Sequence, residues 1–374
     1  MTLGRTPLPD VIIAGAGVIG CATAYYLARE GCSVTVVERE SIASGASGVA
    51  AAMISQTFEG DPLADLSDFS RGRHAELARD LPAETGTDYG YRINPELYAA
   101  FSPDAARDLK ASEDAFRARN PRAHWVEGPE LWEIEPRLNP AVLGAIVGEQ
   151  AQVIASRFTT ALATAAEARG ARFRHGSVAG LGSAGNRVTG VRLATGEVVA
   201  GETVILAMGA WSAVASRWTG LQVPVFPVRG QILRLEAPDP QLRTAIYGPE
   251  MYVLLKADGS TLAGATHEPE AGFDAVTTPE GLERVMEAAI EIAPFLAEAK
   301  LVHHLVGLRP GTADDLPLLG PVAGWEGLFM ATGHFWRGIE LSAGSARAVA
   351  DLVLGLASPV DLSAFDPARF GATA

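Results

Sequence analysis

The chain of 374 residues has little cysteine and little positive charge. Its two cysteines, Cys21 and Cys32, cannot build a disulfide framework, and the sequence has no spacing of ligands typical of a metal site, so we predict no metal. Lysine and arginine total 30 against 44 aspartate and glutamate residues, which gives a formal charge of -14. This balance argues against a nucleic-acid partner and against docking to anionic lipid, and it favours small-molecule ligands.

Long apolar runs are absent as well. No uninterrupted apolar run approaches the roughly eighteen residues of a membrane span, and the segment Met-Thr-Leu-Gly-Arg-Thr-Pro at the start lacks the apolar core of a signal peptide. We therefore expect a cytoplasmic protein with no membrane segment. The apolar fraction of 48% is sufficient for a large core, and the length favours two domains. A homo-oligomer is left open.

The most informative stretch of the sequence is Asp10-Val-Ile-Ile-Ala-Gly15-Ala-Gly17-Val-Ile-Gly20. A short apolar strand over 11–14 leads into a glycine turn, and a helical segment follows. Gly15 and Gly17 permit a tight turn and a close approach of the backbone to a pyrophosphate, and Gly20 lets the helix pack on the strand. The spacing predicts dinucleotide binding; the alternative is a strand–helix–strand unit whose glycines serve only packing.

The helix start and the next strand support this prediction. Val18 and Ile19 lie in the first helical turn, where unpaired amides and the helix dipole favour an anion. A β-branched strand then ends at Glu38, followed by Arg39. An acid at about twenty residues from the turn suits a hydrogen bond to a ribose hydroxyl. A free 2′-phosphate would be repelled there.

Patterns along the rest of the chain predict an α/β protein. A run of small residues over 41–53 lets backbone approach a large flat ligand, although from composition alone a flexible loop entering an alanine-rich helix is the better explanation. The segment 87–101 alternates and contains a predicted turn at Asn94-Pro95. A buried strand before Gly209 and another before Gly333 repeat the arrangement of strand and glycine turn. Periodicity predicts helices over about 63–81, 105–119, 157–169, 279–293 and 342–356, and strands over about 172–175, 203–208, 231–235, 252–256 and 261–265.

In their order, these motifs resemble the FAD-dependent amino-acid oxidase superfamily, and within it the glycine oxidase and sarcosine oxidase branch. The opening resembles that family's flavin fingerprint. Gly307-Leu-Arg309-Pro-Gly-Thr followed by Gly333-His334-Phe335 resembles the glycine oxidase C-terminal signature. The resemblance implies a Rossmann-like FAD-binding domain interleaved with a substrate domain built on a mixed, largely antiparallel sheet. The bounds are 1–86, 140–222 and 303–374 for the first domain, and 87–139 and 223–302 for the second.

The resemblance also implies a reaction. A hydride passes from the Cα of glycine or of an N-substituted glycine to flavin N5, and the imine hydrolyses to glyoxylate and an amine. Dioxygen then accepts the electrons and forms hydrogen peroxide. Two alternatives stay open, namely a flavin-dependent dehydrogenase with another electron acceptor and a non-catalytic FAD-binding subunit.

Substrate recognition is assigned to four residues. Arg309 falls on the family's carboxylate-binding position, and a guanidinium matches a carboxylate bidentately. Tyr252 resembles the tyrosine that caps the carboxylate, with Tyr247 as the other candidate and core packing as the alternative. Glycine oxidases usually have arginine directly after Gly-His-aromatic; here Trp336 takes that place. Arg337 follows one residue later, so in an extended segment it would point away from the substrate.

The remaining expectations concern the cofactor. Glu340 replaces the family's usual leucine and is expected to pair with Arg337 or to approach an amine, while Ala52 replaces a usual glycine. Because no cysteine follows Cys32 and the small-residue run has no histidine, we expect non-covalent FAD. His334 is expected either to line the flavin edge or to form its hydrogen bonds with nearby backbone groups. The resemblance assigns FAD contacts to Gly15, Gly17, Val18, Ile19, Gly20, Glu38, Arg39, Ser44, Ser47, Ala51, Ala52, Met53, Val178, Gly209, Trp211, Arg309, Gly333, His334, Gly338 and Ile339.

Overall fold

The computed structural model describes residues 8–55 and 61–372. The N-terminal segment on which the signal-peptide expectation rests lies outside these ranges. Within them the strands are β1 (Asp10–Ala14), β2 (Ser33–Glu38), β3 (Met53–Ile54), β4 (Arg92–Ala100), β5 (His124–Val126), β6 (Gly144–Gln152), β7 (Arg172–His175), β8 (Val178–Ala184), β9 (Arg187–Leu193), β10 (Val198–Ala200), β11 (Thr203–Leu206), β12 (Phe226–Glu236), β13 (Ala245–Tyr247), β14 (Tyr252–Leu255), β15 (Thr261–Gly264), β16 (Lys300–Gly311), β17 (Leu318–Pro321) and β18 (Leu328–Thr332). The helices are α1 (Val18–Arg29), α2 (Ala46–Val49), α3 (Ala64–Thr85), α4 (Pro103–Ala111), α5 (Glu113–Arg119), α6 (Pro129–Ile134), α7 (Ala155–Glu167), α8 (Ser216–Thr219), α9 (Pro279–Ile292) and α10 (Gly338–Val353).

A six-stranded sheet in the order β17-β18-β11-β1-β2-β7 forms the first layer. Its strands pair in parallel except for β17. Val11 and Ile13 pack on the core shared with α1, α7 and α10, whereas Ile12 and Ala14 face the core shared with the sheet β10-β9-β8. Coverage of both faces explains why β1 is an unbroken apolar run. The predicted Rossmann-like arrangement is confirmed.

A nine-stranded sheet forms the second layer, in the order β16-β12-β15-β14-β13-β4-β6-β3 with β5 also paired to β6. All its pairs are antiparallel except β13 with β4, as the predicted mixed, largely antiparallel sheet requires. Apolar residues of one face, such as Leu233 and Val253, pack with Val285 and Ile292 of α9. This sheet also takes in β3, β6 and most of β16, which lie in stretches assigned from sequence to the FAD-binding domain. The domain bounds stay a prediction.

Local expectations differ from the structure in three places. The predicted turn at Asn94-Pro95 is wrong, because β4 continues through it. At Pro95, β4 pairs only with β6, because β13 joins β4 from Glu96 onward. A strand tolerates proline at a position where one of its two edges forms no backbone hydrogen bond. The helix expected over 105–119 is the pair α4 and α5, which meet at Ser112. The closing helix α10 begins at Gly338, ahead of the expected start.

Candidate active site

A cavity of about 730 Å³ is lined by residues from both large sheets. This volume lies within the range of cofactor and ligand pockets. The first sheet and its loops supply the wall from Ala14 to Ile19 and the loop after β11, and the second sheet supplies Gly230, Ile232 and the middle of β16. The glycine turn, the small-residue run and the C-terminal motif therefore meet at one place.

The glycine turn after β1 forms one wall. Gly15 has φ +108°, and a Cβ atom on it would lie 2.4 Å from the carbonyl oxygen of Ala207, so only glycine fits. Val18 donates its amide to Ser47 Oγ at 2.9 Å, which satisfies one of the free amides at the start of α1. Gly17, Val18, Ile19, Ser44 and Ser47 all line the cavity.

Glu38 lies at the end of β2 with both carboxylate oxygens fixed by backbone. Ala16 donates its amide to Oε2 at 2.8 Å, and Glu40 donates its amide to Oε1 at 2.9 Å. Glu38 lines the cavity and is half-buried, so its remaining lone pairs can accept hydrogen bonds from a ligand. This arrangement suits the predicted ribose contact.

The loop after β11 forms the wall beside Glu38. Gly209 (φ +54°) begins a 3₁₀ turn that carries Trp211, and both line the cavity together with Val178. The guanidinium carbon of Arg39 lies 3.7 Å from the centre of the Trp211 ring. A cation over an aromatic face at this distance is attractive, so Arg39 and Trp211 hold each other in the wall.

The turn after β18 closes another side. Gly333 (φ +77°), His334, Gly338 and Ile339 line the cavity. His334 is 3% exposed, and its Nε2 lies 3.1 Å from Ser345 Oγ. Burial lowers the pKa of His334 to about 3, so its imidazole is neutral near pH 7. It is therefore a wall residue, and it does not supply a proton acceptor with a pKa near neutrality.

Arg309 reaches the cavity from β16. Its backbone pairs with Val228 of β12, and its guanidinium crosses the neighbouring Gly230, where a Cβ atom would lie 2.3 Å from Nη2. Nη1 donates to the carbonyl oxygen of Thr266 at 2.9 Å, which fixes the guanidinium plane. Burial lowers the pKa of Arg309, opposed by Tyr252 and Glu268, and an arginine stays charged after such a shift.

The segment Phe335–Arg337 is a 3₁₀ turn, so the expectation of an extended segment is wrong. Trp336 lines the cavity with 64% of its surface exposed. Arg337 instead donates to Asp61 at 3.1 Å and lies 3.6 Å from Glu340. This contact is the expected pairing of Glu340 with Arg337, and Glu340 also accepts a hydrogen bond from Ser67 Oγ at 2.8 Å. The two carboxylates hold Arg337 behind the cavity wall.

Several residues predicted for the site are not part of the cavity wall within the described ranges. Gly20 serves packing, because a Cβ atom on it would lie 1.9 Å from the carbonyl oxygen of Gly15. Met53 accepts a contact from the Tyr247 hydroxyl at 3.1 Å. Burial raises the pKa of Tyr252 to about 12, and nearby Arg309 opposes that rise. The full set outside the wall is Gly20, Ala51, Ala52, Met53, Tyr252 and Arg337.

Sequence analysis missed a buried lysine behind the small-residue run. Lys256 follows the apolar strand β14, is 3% exposed and donates from Nζ to the carbonyl oxygen of Ala51 at 2.8 Å. Ala52, which directly follows Ala51, has φ +58°, a conformation in which glycine would avoid strain. Burial lowers the pKa of Lys256 to about 7. The nine-stranded sheet therefore holds the small-residue run through Lys256. The only signal of this lysine in the sequence is its place at the end of an apolar strand.

Three further wall residues were also missed. Arg217, Phe273 and Ala275 line the cavity, although none belongs to a recognisable motif. Phe273 and Ala275 lie in an irregular segment between β15 and α9, where no periodicity indicates which side faces a ligand.

Neither a cluster of metal ligands nor a membrane-spanning helix is found among the described residues. The described residues contain no group of three or more histidine, cysteine, aspartate or glutamate side chains placed to hold a metal ion. Among the described helices, none combines the length and the apolar character needed to cross a bilayer.

The cavity fits a flavin dinucleotide on its own chemistry. The glycine turn and the amides at the start of α1 suit a pyrophosphate, Glu38 suits a ribose, and the small residues before β3 leave room for a flat ring. The fold and the cavity together define a dinucleotide-binding oxidoreductase of the flavoprotein class. A family model described as FAD dependent oxidoreductase matches residues 10–352, and the chain belongs to this family.

The comparisons with individual proteins agree with this assignment. A glycine oxidase from Geobacillus kaustophilus is 34% identical over 367 residues, which cover 96% of this chain and 97% of that protein. The crystal structure of glycine oxidase from Geobacillus kaustophilus superposes with a TM-score of 0.91 at 33% identity, covering 97% of this chain and 99% of the other. An iminodiacetate oxidase from Chelativorans sp. BNC1 superposes with a TM-score of 0.87 at 26% identity, covering 96% and 98%. The chain is therefore an FAD-dependent oxidoreductase whose relatives include glycine oxidases.

Proposed function

We propose that the protein is an oxidase of glycine or of an N-substituted glycine. The substrate loses a hydride from Cα and a proton from nitrogen, and the imine takes up water and separates into glyoxylate and an amine. Dioxygen receives the two electrons and two protons and leaves as hydrogen peroxide. When bound, FAD supplies the two-electron acceptor. The observation that carries the proposal is the Arg309 guanidinium, held in the wall of the flavin cavity.

The chain's own residues bind and orient the substrate. Arg309 is proposed to bind the substrate carboxylate, because its guanidinium is fixed by Thr266 and partly removed from water, where a charge-assisted pair is strong. Tyr252 lies outside the described cavity wall but interacts electrostatically with Arg309, so its proposed role as a cap of the carboxylate requires its side chain to turn toward the cavity when substrate binds. Burial keeps the pKa of His334 well below neutrality and its Nε2 contacts Ser345, so we do not assign His334 to take a proton from the substrate amine.

The cavity wall favours a substituent on the substrate nitrogen. Trp336 supplies an exposed apolar ring to the cavity, and Arg337 is held back by Asp61 and Glu340. An apolar wall gains from contact with a larger substituent and offers no second positive charge to free glycine. The name of the Chelativorans relative refers to iminodiacetate, an N-substituted glycine whose substituent carries a carboxylate, so it supports a substituted nitrogen but not the apolar contact.

The first test is an anaerobic titration of the holoenzyme followed by its visible spectrum. Oxidised flavin absorbs in the blue and bleaches on two-electron reduction, so we expect bleaching by sarcosine or a bulkier N-substituted glycine. Readmission of air should restore the colour and release hydrogen peroxide. Slow recovery in air but rapid recovery with an artificial acceptor would favour a dehydrogenase. If no glycine derivative bleaches the flavin, the proposed reaction is wrong.

A single substitution tests the role of the tryptophan. Trp336→Arg should raise kcat/KM for glycine and lower it for a bulky N-substituted glycine, because an apolar wall is exchanged for a second positive charge. A change of about tenfold in the ratio of the two values is expected, equivalent to ~1.4 kcal/mol. Steady-state oxygen consumption with both substrates measures it.

The control for this substitution is Trp336→Phe, which keeps an apolar ring and should leave the ratio within about threefold of the unmodified enzyme. Arg337 is kept in both variants, since its removal would take a partner from the buried Glu340. A Trp336→Arg variant that loses activity toward glycine would contradict the assignment of Trp336 to the substrate wall.

A further inference from the structure

One loop that follows a strand of the second sheet reaches across the cavity to the wall that contains Trp211. Residues 267–278, here named the cavity strap, connect β15 to α9 and contain only a short 3₁₀ turn, Pro269–Ala271. Phe273 and Ala275 of the strap line the cavity. Phe273 is 53% exposed, so its ring is only partly covered by the protein. The strap therefore contributes part of the cavity wall.

The tip of the strap stacks on the flavin side. The Phe273 ring lies over Trp211, with 5.8 Å between ring centres and 29° between their planes. The guanidinium carbon of Arg39 lies 3.7 Å from the centre of the Trp211 ring. Residues from three distant parts of the chain thus form one stack, and Arg39 directly follows Glu38. The stack closes the cavity beside the residue predicted to bind the ribose.

The base of the strap is anchored by Arg229 of β12. Nε donates to Glu268 Oε2 at 2.7 Å, and Nη1 donates to Asp274 Oδ2 at 3.1 Å and to the Val276 carbonyl oxygen at 3.3 Å. The backbones of Arg229 and Glu268 also exchange hydrogen bonds at 3.2 and 3.0 Å. Only 11% of the Arg229 side chain is exposed. One arginine therefore holds the strap on both sides of Phe273.

A second anchor lies beside it on the same strand. Gln231 is fully buried and donates from Nε2 to Glu268 Oε1 at 2.8 Å, while its Oε1 accepts the amide of Thr278 at 2.9 Å. Burial alone would raise the pKa of the Glu268 carboxyl, but hydrogen bonds and the nearby guanidinium lower that pKa below its ordinary value. Glu268 thus stays ionised and keeps its pair with Arg229. Both ends of the strap are fixed, and its middle rests on Trp211.

We propose that the cavity strap retains the bound FAD, with Phe273 as a cofactor-site residue and Arg229 as the residue that positions it. In the proposed complex the stacked Phe273 and Trp211 rings cover part of the bound dinucleotide, so loss of the stack weakens FAD binding and speeds FAD release. This role does not depend on which amine the enzyme oxidises, so it can fail or hold independently of the proposed reaction.

The test is the equilibrium dissociation constant of FAD, measured by flavin fluorescence as FAD is added to apoprotein. Phe273→Ala removes the stack, and we expect the dissociation constant to rise about three- to tenfold. Val276→Ala is the matched control, because Val276 lies in the same segment, is 60% exposed and is outside the described cavity wall. Its dissociation constant should stay within twofold. Phe273→Tyr keeps a ring and should restore binding.

Arg229→Met tests the anchor with a second measurement, the rise in Tm when FAD is added to the apoprotein. Loss of the ion pairs lowers the Tm of the apoprotein whatever the strap does, but only a role in retention makes the FAD-dependent rise smaller. We expect that smaller rise and faster FAD release after dilution. Unchanged FAD affinity in Phe273→Ala, together with an unchanged FAD-dependent rise in Arg229→Met, would overturn the proposal and leave the strap a purely structural segment.

Discussion

Replacing Arg309 by methionine is expected to lower kcat/KM for the preferred glycine derivative by about 30- to 1,000-fold. The loss corresponds to about 2–4 kcal/mol, the cost of removing one partner of a partly buried, hydrogen-bonded charge pair. Because the guanidinium orients Cα, the effect should appear in both kcat and KM. Stopped-flow reduction of the flavin with increasing substrate separates the two constants.

Two variants make this result interpretable. Arg309→Lys keeps the charge but not the planar pair of donors, so its activity should lie between those of the unmodified enzyme and Arg309→Met. Arg234→Met removes an arginine from the same strand pair, where it forms a 3.3 Å ion pair with Asp258, and should leave kcat/KM unchanged. Equal activity of Arg309→Met and the unmodified enzyme, with FAD bound in both, would exclude Arg309 from carboxylate binding.

Gly20→Ala is expected to cost about 3 kcal/mol or more in the free energy of unfolding and to prevent FAD binding. The added Cβ atom would lie 1.9 Å from the carbonyl oxygen of Gly15. Two backbone segments would have to separate, and overpacking of this kind costs at least as much as inserting a methylene group into a core. Movement of Gly15 would also displace the turn from Ala207. Denaturant unfolding of the apoprotein and the FAD content of the purified protein measure both effects.

Gly72→Ala provides the matched control, since Gly72 lies within α3 and nothing would lie within 4 Å of its Cβ atom. The same substitution there should raise the free energy of unfolding by about 0.5–1 kcal/mol, because alanine loses less backbone entropy in a helix. If Gly20→Ala binds FAD and unfolds like the unmodified protein, the close contact between α1 and the β1 turn is wrong.

The parts of the site that could be predicted from sequence are those whose chemistry is local. Gly20 is required by the carbonyl oxygen of Gly15 within the same strand, turn and helix, and Gly15 needs its positive φ for the turn, so their spacing alone predicts the turn. The close approach of Ala207 to Gly15 comes from a distant part of the chain, and the spacing does not reveal it. Glu38 ends the next strand, and its position follows from the same unit. Near Arg309, Gly230 makes room for the arginine side chain, and Gly307 makes room for the segment that contains Ala46 and Val49. Of these two glycines, only Gly307 belongs to a motif.

The remaining features depend on contacts between distant segments. The hydrogen bond between Lys256 and Ala51 joins residues more than two hundred positions apart. The hydrogen bond between Arg337, the neighbour of Trp336, and Asp61 also joins residues more than two hundred positions apart. No periodic pattern encodes such a pair. The 3₁₀ turn at Phe335–Arg337 differs from the expected extended segment because a short segment carries no period of its own, and ion pairs of Arg337 with Asp61 and Glu340 fix it.

The order of the strands has a consequence for how the enzyme is made. β1 at the centre of its sheet pairs with β11, and β11 pairs with β18, while the cavity wall runs from Ala14 to Ile339. A nascent chain that has just left the ribosome with its first glycine turn and β2 still lacks β11, β18 and the second wall of the cavity. Flavin capture must therefore follow synthesis of nearly the whole polypeptide, and the cell makes this enzyme first as an apoprotein.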